Sequence, residues 1–224
     1  MAVGMNERGW VRLTIDDPMT SKGKLITFEG SEGSGKSTQA RLAYNYLRKR
    51  GKNVLLLREP GGTAISEAIR KILLDVKNAP MTRECETLLY MAARSQLVEE
   101  RIYPALTKGV IVLCDRFLDS TIVYQGFGFG VDRNFIKTVG KFVTRGISAD
   151  LTLVFDIPVT EGLSRTGQIK DRIELRSLKY HTKVRKGYLT IARQDPRRVK
   201  VVKVEGGPQE IQKKVRGYID RLLG

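Results

Sequence analysis

The sequence predicts an α/β domain built on a parallel sheet, and three observations predict it. Residues 24 to 28 form a short apolar run that leads into a glycine-rich loop and then into a segment of helical periodicity. Four more apolar runs recur downstream, at 54–57, 110–113, 151–155 and 199–204, each separated from the last by enough chain for a helix. The unbroken run Val54 to Leu57 has the character of a parallel strand covered on both faces. The chain has 224 residues, 41% of them hydrophobic, with no repeat and no linker, which suits one such domain over 23–224.

Residues 1–22 form an N-terminal extension. Asp16-Asp17-Pro18 and Ser21-Lys22-Gly23 read as turns, and Trp10 to Ile15 alternate weakly enough for an added edge strand. The alternative is a start at Met19, with the earlier residues not native.

Gly30 to Ser37 fit G-x-x-x-x-G-K-[ST] between the first strand and a helix that reaches Arg50 and stops at Gly51. Glycines let successive N–H groups point into one concavity, and the helix start adds its positive end, so this is a phosphate site. Gly30, Ser31, Glu32, Gly33, Ser34, Gly35, Lys36, Ser37 and Thr38 are expected to wrap a triphosphate. Lys36 should reach the β- and γ-phosphates and Ser37 should hold Mg²⁺. The bland alternative is a chance glycine turn.

The strand at 54–57 delivers Arg58-Glu59-Pro60-Gly61-Gly62-Thr63 to the carboxyl edge of the sheet, where ligands bind in open parallel sheets. Thr63 caps a helix with Ile65, Ile69 and Ile72 on its stripe and Arg70 on the same segment. Thr82 opens a longer helix with Leu88, Leu89, Ala92, Leu97 and Val98 as its stripe. Tyr90 and Arg94 share a face of it, either as a core-edge tyrosine beside a solvated arginine, or as a plate and a donor for a flat ligand. Gly109 ends this segment. The strand at 110–113 then runs into Cys114-Asp115-Arg116, placing a carboxylate for the Mg²⁺ shell and a cation beside it, unless the two are only a surface pair.

Asp119-Ser120-Thr121 and Tyr124-Gln125-Gly126 gather polar groups near that edge, and Gly126, Gly128 and Gly130 read as a flexible loop. Phe135 to Val143 reads as a helix. Residues 160–174 form a basic, mobile stretch suited to a lid, with Asp171-Arg172-Ile173-Glu174 opening a helix to about Ala192. His181 is expected on the surface. Gly206-Gly207-Pro208 is a turn before a closing helix over 209–222.

The net charge is +16 and the pI about 10.0. Residues 165–216 carry 16 Lys and Arg against 5 Asp and Glu. Such charge suits nucleic acid or a phosphate-crowded substrate site, but no aromatic-interleaved basic motif is present. No apolar run is long enough for a membrane span, and no signal peptide is evident, so a cytoplasmic location is expected. Cys85 and Cys114 lack metal or redox spacing and read as free thiols.

Taken together, the 28–38 loop, Arg58-Glu59-Pro60-Gly61-Gly62-Thr63, Ala92-Ala93-Arg94, Asp115-Arg116-Phe117 and Asp171-Arg172-Ile173-Glu174 resemble the thymidylate kinases, over roughly residues 24–222. The resemblance implies a three-layer P-loop kinase fold, with five parallel strands, helices on both faces and a lid. It implies ATP and Mg²⁺ as cofactors, dTMP as acceptor and a homodimer. It places Glu32 on the deoxyribose 3′-hydroxyl, Tyr90 against the base and Arg94 at the base edge. Arg70 and Arg116 fall on the acceptor phosphate, Tyr124 beside the 2′ position, and Arg58, Ser120 and Gln125 near the same pocket. Because Gly33 stands where some members carry a loop arginine, it also implies that the lid residues Arg165, Lys170 and Arg172 stabilise the transferring group. Tyr90 departs from the phenylalanine common in the family. An acceptor that is already an anionic monophosphate needs no general base. Two rival readings remain: another nucleotide or nucleoside kinase on this fold, or a nucleic-acid-dependent ATPase. The second lacks a glutamate directly after Asp115 to activate water.

Overall fold

The computed structural model describes residues 23–167 and 170–224; the N-terminal extension, with its expected edge strand, and two residues of the expected lid lie outside them. All five expected strands form one parallel sheet. β1 (Lys24–Gly30) is central, flanked by β3 (Ile111–Asp115) and β4 (Leu151–Asp156). β2 (Val54–Arg58) lies beyond β3 and β5 (Val199–Lys203) beyond β4, giving the order β2-β3-β1-β4-β5.

Helices cover both faces, which is why the strands read as largely apolar segments. Ile26 and Phe28 of β1 pack toward α1 (Lys36–Lys49) and the closing helix α9 (Pro208–Leu223). Leu25 faces the opposite layer, with Leu97 of α3 (Arg83–Leu97) and Leu106 of α4 (Tyr103–Thr107). Each such buried Leu or Phe stabilises the fold by roughly 1.5–3 kcal/mol. Also present are α2 (Ala64–Leu74), α5 (Leu118–Thr121), α6 (Arg133–Val143), α7 (Val159–Ser164) and α8 (Leu178–Gln194). Thr63 and Thr82 cap α2 and α3 by accepting from Ser66 N and Cys85 N.

Four expectations need correction. The stripes expected on α2 and α3 are partly outward: Ile65, Ile72 and Leu88 are exposed, while Ser66, Glu86, Met91 and Arg94 are inside. The inner faces of these helices meet each other and a polar cleft, so burial there follows hydrogen bonding; Ser66 Oγ donates to Ala93 O at 2.7 Å. The glycines expected in a flexible loop lie instead largely in a wide helical turn over Ile122–Gly128. Gly128 is there for proximity, since a Cβ on it would lie 2.6 Å from the Tyr180 ring. Helix α8 begins at Leu178, capped by Ser177, not at Asp171. Asp171 accepts from Ile173 N and Glu174 N, which uses its side chain to close a single turn. His181 is buried, not exposed.

Beneath the carboxyl edge of the sheet lies a buried polar layer. Side chains alternate along β1, so Leu25, Thr27 and Glu29 share the face opposite Ile26 and Phe28. Thr27 Oγ1 lies 2.8 Å from Thr152 Oγ1. Asp119 accepts from Thr152 and from Arg198, the latter at 2.6 Å. Glu29 accepts from Phe117 N at 2.7 Å, Ser120 Oγ at 2.5 Å and Tyr188 Oη at 2.9 Å. Glu29 thereby ties β1 to the segment that carries Arg116.

Burial, and then the negative charge of Asp119, push the Glu29 carboxyl up to about 7 from 4.5, outweighing Ser120 and Arg116. The fold therefore keeps this proton up to about pH 7, whereas the unfolded chain releases it near pH 4.5. The stabilisation linked to it is complete below about pH 4.5 and is lost as pH rises through about 7. Urea unfolding between pH 5 and 8 should show a decline on the order of 2–3 kcal/mol from this group. Glu29→Gln should flatten that slope; an unchanged slope would show that Glu29 is not its source.

Candidate active site

Parallel register sets the site. Phe28 pairs with Asp115, and Arg116 N donates to Phe28 O at 3.0 Å. The loop after β1 and the Asp-Arg pair after β3 therefore meet at one sheet edge. A cleft of about 640 Å³ opens there, lined among others by Glu32, Lys36, Ser37, Tyr90, Asp115 and Arg116.

At the loop end, Lys36 is buried at the start of α1, its Nζ 3.3 Å from Ser31 O. Ser37 Oγ donates to Asp115 Oδ2, and Asp115 Oδ1 is buried without a partner among the described residues. A hydroxyl and a carboxylate with a spare oxygen are hard donors that fit Mg²⁺, which keeps waters and phosphate oxygens as its other ligands. Gly33 admits no side chain, because a Cβ would lie 1.9 Å from Gly162 O of α7. The phosphate loop is thus seated directly on the helix that forms the start of the expected lid.

Between the two ends of the cleft stands a charge cluster. Glu32 accepts from Arg116 Nη2 and Tyr124 Oη, each at 2.7 Å, and lies 3.9 Å from Lys36 Nζ. Burial raises the Glu32 carboxyl, but Arg116, Lys36 and the Tyr124 hydroxyl outweigh it and bring it down to about 2. Burial lowers Lys36, and Arg116 lowers it further, with Glu32 opposing. Arg116 has φ 72°, a strained backbone for a residue with a side chain, and its guanidinium lies 4.8 Å from the Tyr124 ring centre.

At the far end, Tyr90, Arg94, Gln125 and Tyr124 wall the cleft. Tyr90 is half-buried, an aromatic wall and not a core-edge residue. Arg94 is buried and fully engaged: Nε reaches Glu59 at 2.8 Å, Nη1 reaches Thr121 at 2.9 Å and Nη2 reaches Phe117 O at 3.0 Å. Its donors therefore face protein, whereas the resemblance assigns it to the base edge. Arg70 lines the cleft with Nη1 on Pro60 O, and Arg58 lines it with both contacts on Glu67 at 3.0 Å. Ser120 sits under Arg116, between it and Glu29.

Two expected residues are not brought to this cleft. Arg165 pairs with Glu161 on its own helix, at 2.5 Å. Arg172 is buried against α3, with Nε on Leu73 O and Nη2 2.6 Å from Glu86. A buried guanidinium goes to the nearest buried carboxylate, and for Arg172 that is Glu86. Sequence reasoning passed over Glu29, Glu59, Glu86 and Tyr188. Glu29 carried the same signal as Asp115, a carboxylate ending an apolar strand. Glu86 carried a four-residue spacing to Tyr90 and eight to Arg94.

Comparison with known proteins agrees with this geometry. The family model described as thymidylate kinase matches residues 28–215. A thymidylate kinase of Symbiobacterium thermophilum is 45% identical over 200 residues, covering 89% of this chain and 94% of the relative. One from Carboxydothermus hydrogenoformans is 43% identical over 206 residues, covering 91% of this chain and 100% of the relative. The crystal structure of the thymidylate kinase from Ehrlichia chaffeensis superposes with a TM-score of 0.73 at 32% identity, covering 88% of this chain and 98% of that one. With a phosphate loop, an Asp-Arg strand end and an aromatic-walled pocket on a sheet of that order, the chain belongs to the thymidylate kinase family.

Proposed function

We propose that this enzyme transfers the γ-phosphate of ATP to dTMP, giving dTDP and ADP, in the cytoplasm and in support of dTTP synthesis. The observation that carries the reading is the continuity of one cleft. It runs from the phosphate loop to the Tyr90 wall, with Lys36 and Arg116 midway.

The chemical obstacle is repulsion between two anionic groups brought end to end. Backbone N–H groups of residues 30–38 hold the donor phosphates, and Lys36 adds a charge that is already buried and aimed. Arg116 meets the acceptor phosphate, assisted by Arg70, and Glu32 moves from cation partner to acceptor of the 3′-hydroxyl. Tyr124, fixed by Glu32, crowds the 2′ position. Tyr90 and Gln125 bound the base. Ser37 and Asp115 would hold Mg²⁺, which supplies charge that neutralises the β- and γ-phosphate oxygens. Glu161, Arg165's partner, is an exposed carboxylate, so Arg165, with Lys170, is the lid cation free to turn inward; Arg172 is anchored. No proton acceptor is required, since the attacking phosphate oxygen is already anionic.

Exposed Ile65 and Ile72 on α2, Leu88 on α3, and Phe135 and Phe142 on α6 support self-association as a homodimer. No helix among the described residues is long and apolar enough to cross a membrane.

ADP release measured with dTMP, dUMP, UMP, CMP and AMP should give dTMP the highest kcat/KM; absence of any dTMP preference would remove the proposal. Lys36→Met should lower kcat on the order of 10²- to 10³-fold while leaving thermal unfolding nearly unchanged. In sedimentation the protein should run at about twice 25.2 kDa, and a monomer at assay concentrations would sink the dimer.

A further inference from the structure

The last strand and the last helix of the fold enclose a groove that is separate from the cleft. β5 pairs only with β4, so its outer edge is free. Beside that edge runs α9, with Ile211, Val215 and Ile219 buried against the sheet. Lys214, Tyr218 and Arg221 recur at spacings of four and three and so share another face, with Lys213 and Gly217 next to them. Together with Lys203 of β5 they line a groove of about 460 Å³, and none of them lines the cleft.

The groove is positive because the acids around it are occupied. Asp220 accepts from Tyr46 and Arg50, each at 2.9 Å, and Glu210 accepts from Gly207 N at 2.9 Å. Glu205 lies 4.0 Å from Lys203 Nζ, both well exposed. Among the described residues Lys213, Lys214 and Arg221 form no ion pair. The Arg221 guanidinium lies 4.9 Å from the ring centre of half-buried Tyr218, so one wall is a flat cation–aromatic plate. Gly217 stands in mid-helix, where glycine is less stable than alanine, yet a Cβ on it would meet nothing within 4 Å. Packing within this chain therefore does not call for glycine there. A bare backbone at that point lets something outside the chain approach closely.

We propose that this groove binds single-stranded nucleic acid, with phosphates along Lys203, Lys213 and Lys214 and a base against the Tyr218–Arg221 plate. The unpaired cations select a polyanion. The plate selects one with free base faces, which a duplex keeps inside its stack. None of the large exposed apolar side chains of the described residues lies on β5 or α9, so nothing beside the groove would enter a bilayer. α3 lies across the sheet from α9, so self-association through α3 leaves the groove open. Groove and cleft share no side chain, so this binding needs neither ATP nor dTMP and does not rest on the kinase reading.

The test is fluorescence anisotropy of a labelled oligo(dT) of about 20 nucleotides with the full chain, without added nucleotide, over a series of salt concentrations. Binding should saturate and weaken steadily with salt. The double variant Lys213→Glu/Lys214→Glu should weaken it on the order of 10- to 100-fold and reduce its salt slope by about one to two. Lys183→Glu/Lys186→Glu, on exposed positions of α8, changes net charge equally and should weaken it far less. Gly217→Leu fills the groove at unchanged charge. It should weaken binding on the order of 10-fold without lowering the thermal unfolding midpoint, since leucine suits a helix better than glycine. If both charge-reversed doubles weaken binding equally, or folded Gly217→Leu binds as the unaltered chain does, overall charge and not the groove attracts the strand, and the proposal is overturned. Displacement of the strand by duplex DNA, polyglutamate or phosphatidylserine vesicles as effectively as by unlabelled oligo(dT) overturns it as well, since the groove would then read charge alone.

Discussion

The cluster of Glu32, Lys36 and Arg116 is the constraint on which the rest of this molecule depends. Two cations held close together in a partly buried site repel each other, and Glu32 between them offsets that repulsion until phosphates arrive. Glu32 and Lys36 stand four residues apart on one loop, but Arg116 lies 84 residues from Glu32. The three meet because β1 and β3 pair in the register that sets Phe28 against Asp115. A slip of one residue would carry Arg116 to the opposite face. The strained φ of Arg116 is the local consequence, tolerated because Glu29, Ser120 and the hydrogen bond to Phe28 O hold it from several sides.

A second support comes from α3. Its inward face presents Glu86, Tyr90 and Arg94 at four-residue intervals, so a helix face that would ordinarily be apolar is built from a carboxylate, a phenol and a guanidinium. The charged pair survives burial because each member is met: Arg94 by Glu59, and Glu86 by Arg172 and Arg176. Apolar residues of α2 and α3 are displaced outward by the same arrangement, leaving Ile65, Ile72 and Leu88 on the surface. The polar pocket and the exposed apolar face are therefore two results of one choice of helix orientation.

The sheet was legible in the sequence because a strand covered on both faces is mostly apolar, and the glycine loop because phosphate binding needs bare backbone. Lys36, Ser37, Asp115 and Arg116 were legible for a related reason: each stands next to a strand end whose position the pattern gives. Legibility fell where a side chain's partner lies far along the chain. Arg172 looked like a lid cation because its neighbours are basic and polar, and its buried carboxylate partner lies 86 positions earlier on another helix. His181 looked like a surface residue for want of a nearby signal, and the Gly126–Gly130 segment looked loose because glycine's use in close packing leaves the same letters as its use in flexible loops.

What the sequence alone determined, then, is the order of strands and helices, the phosphate loop and the edge of the sheet at which chemistry is gathered. These follow from periodicity and from backbone requirements, which act over a few residues. Only the tertiary structure decided which charges neutralise one another and which face of α2 and α3 turns inward. Those outcomes depend on distances between residues remote in the chain, and the pairing of buried charges is a property of the assembled interior.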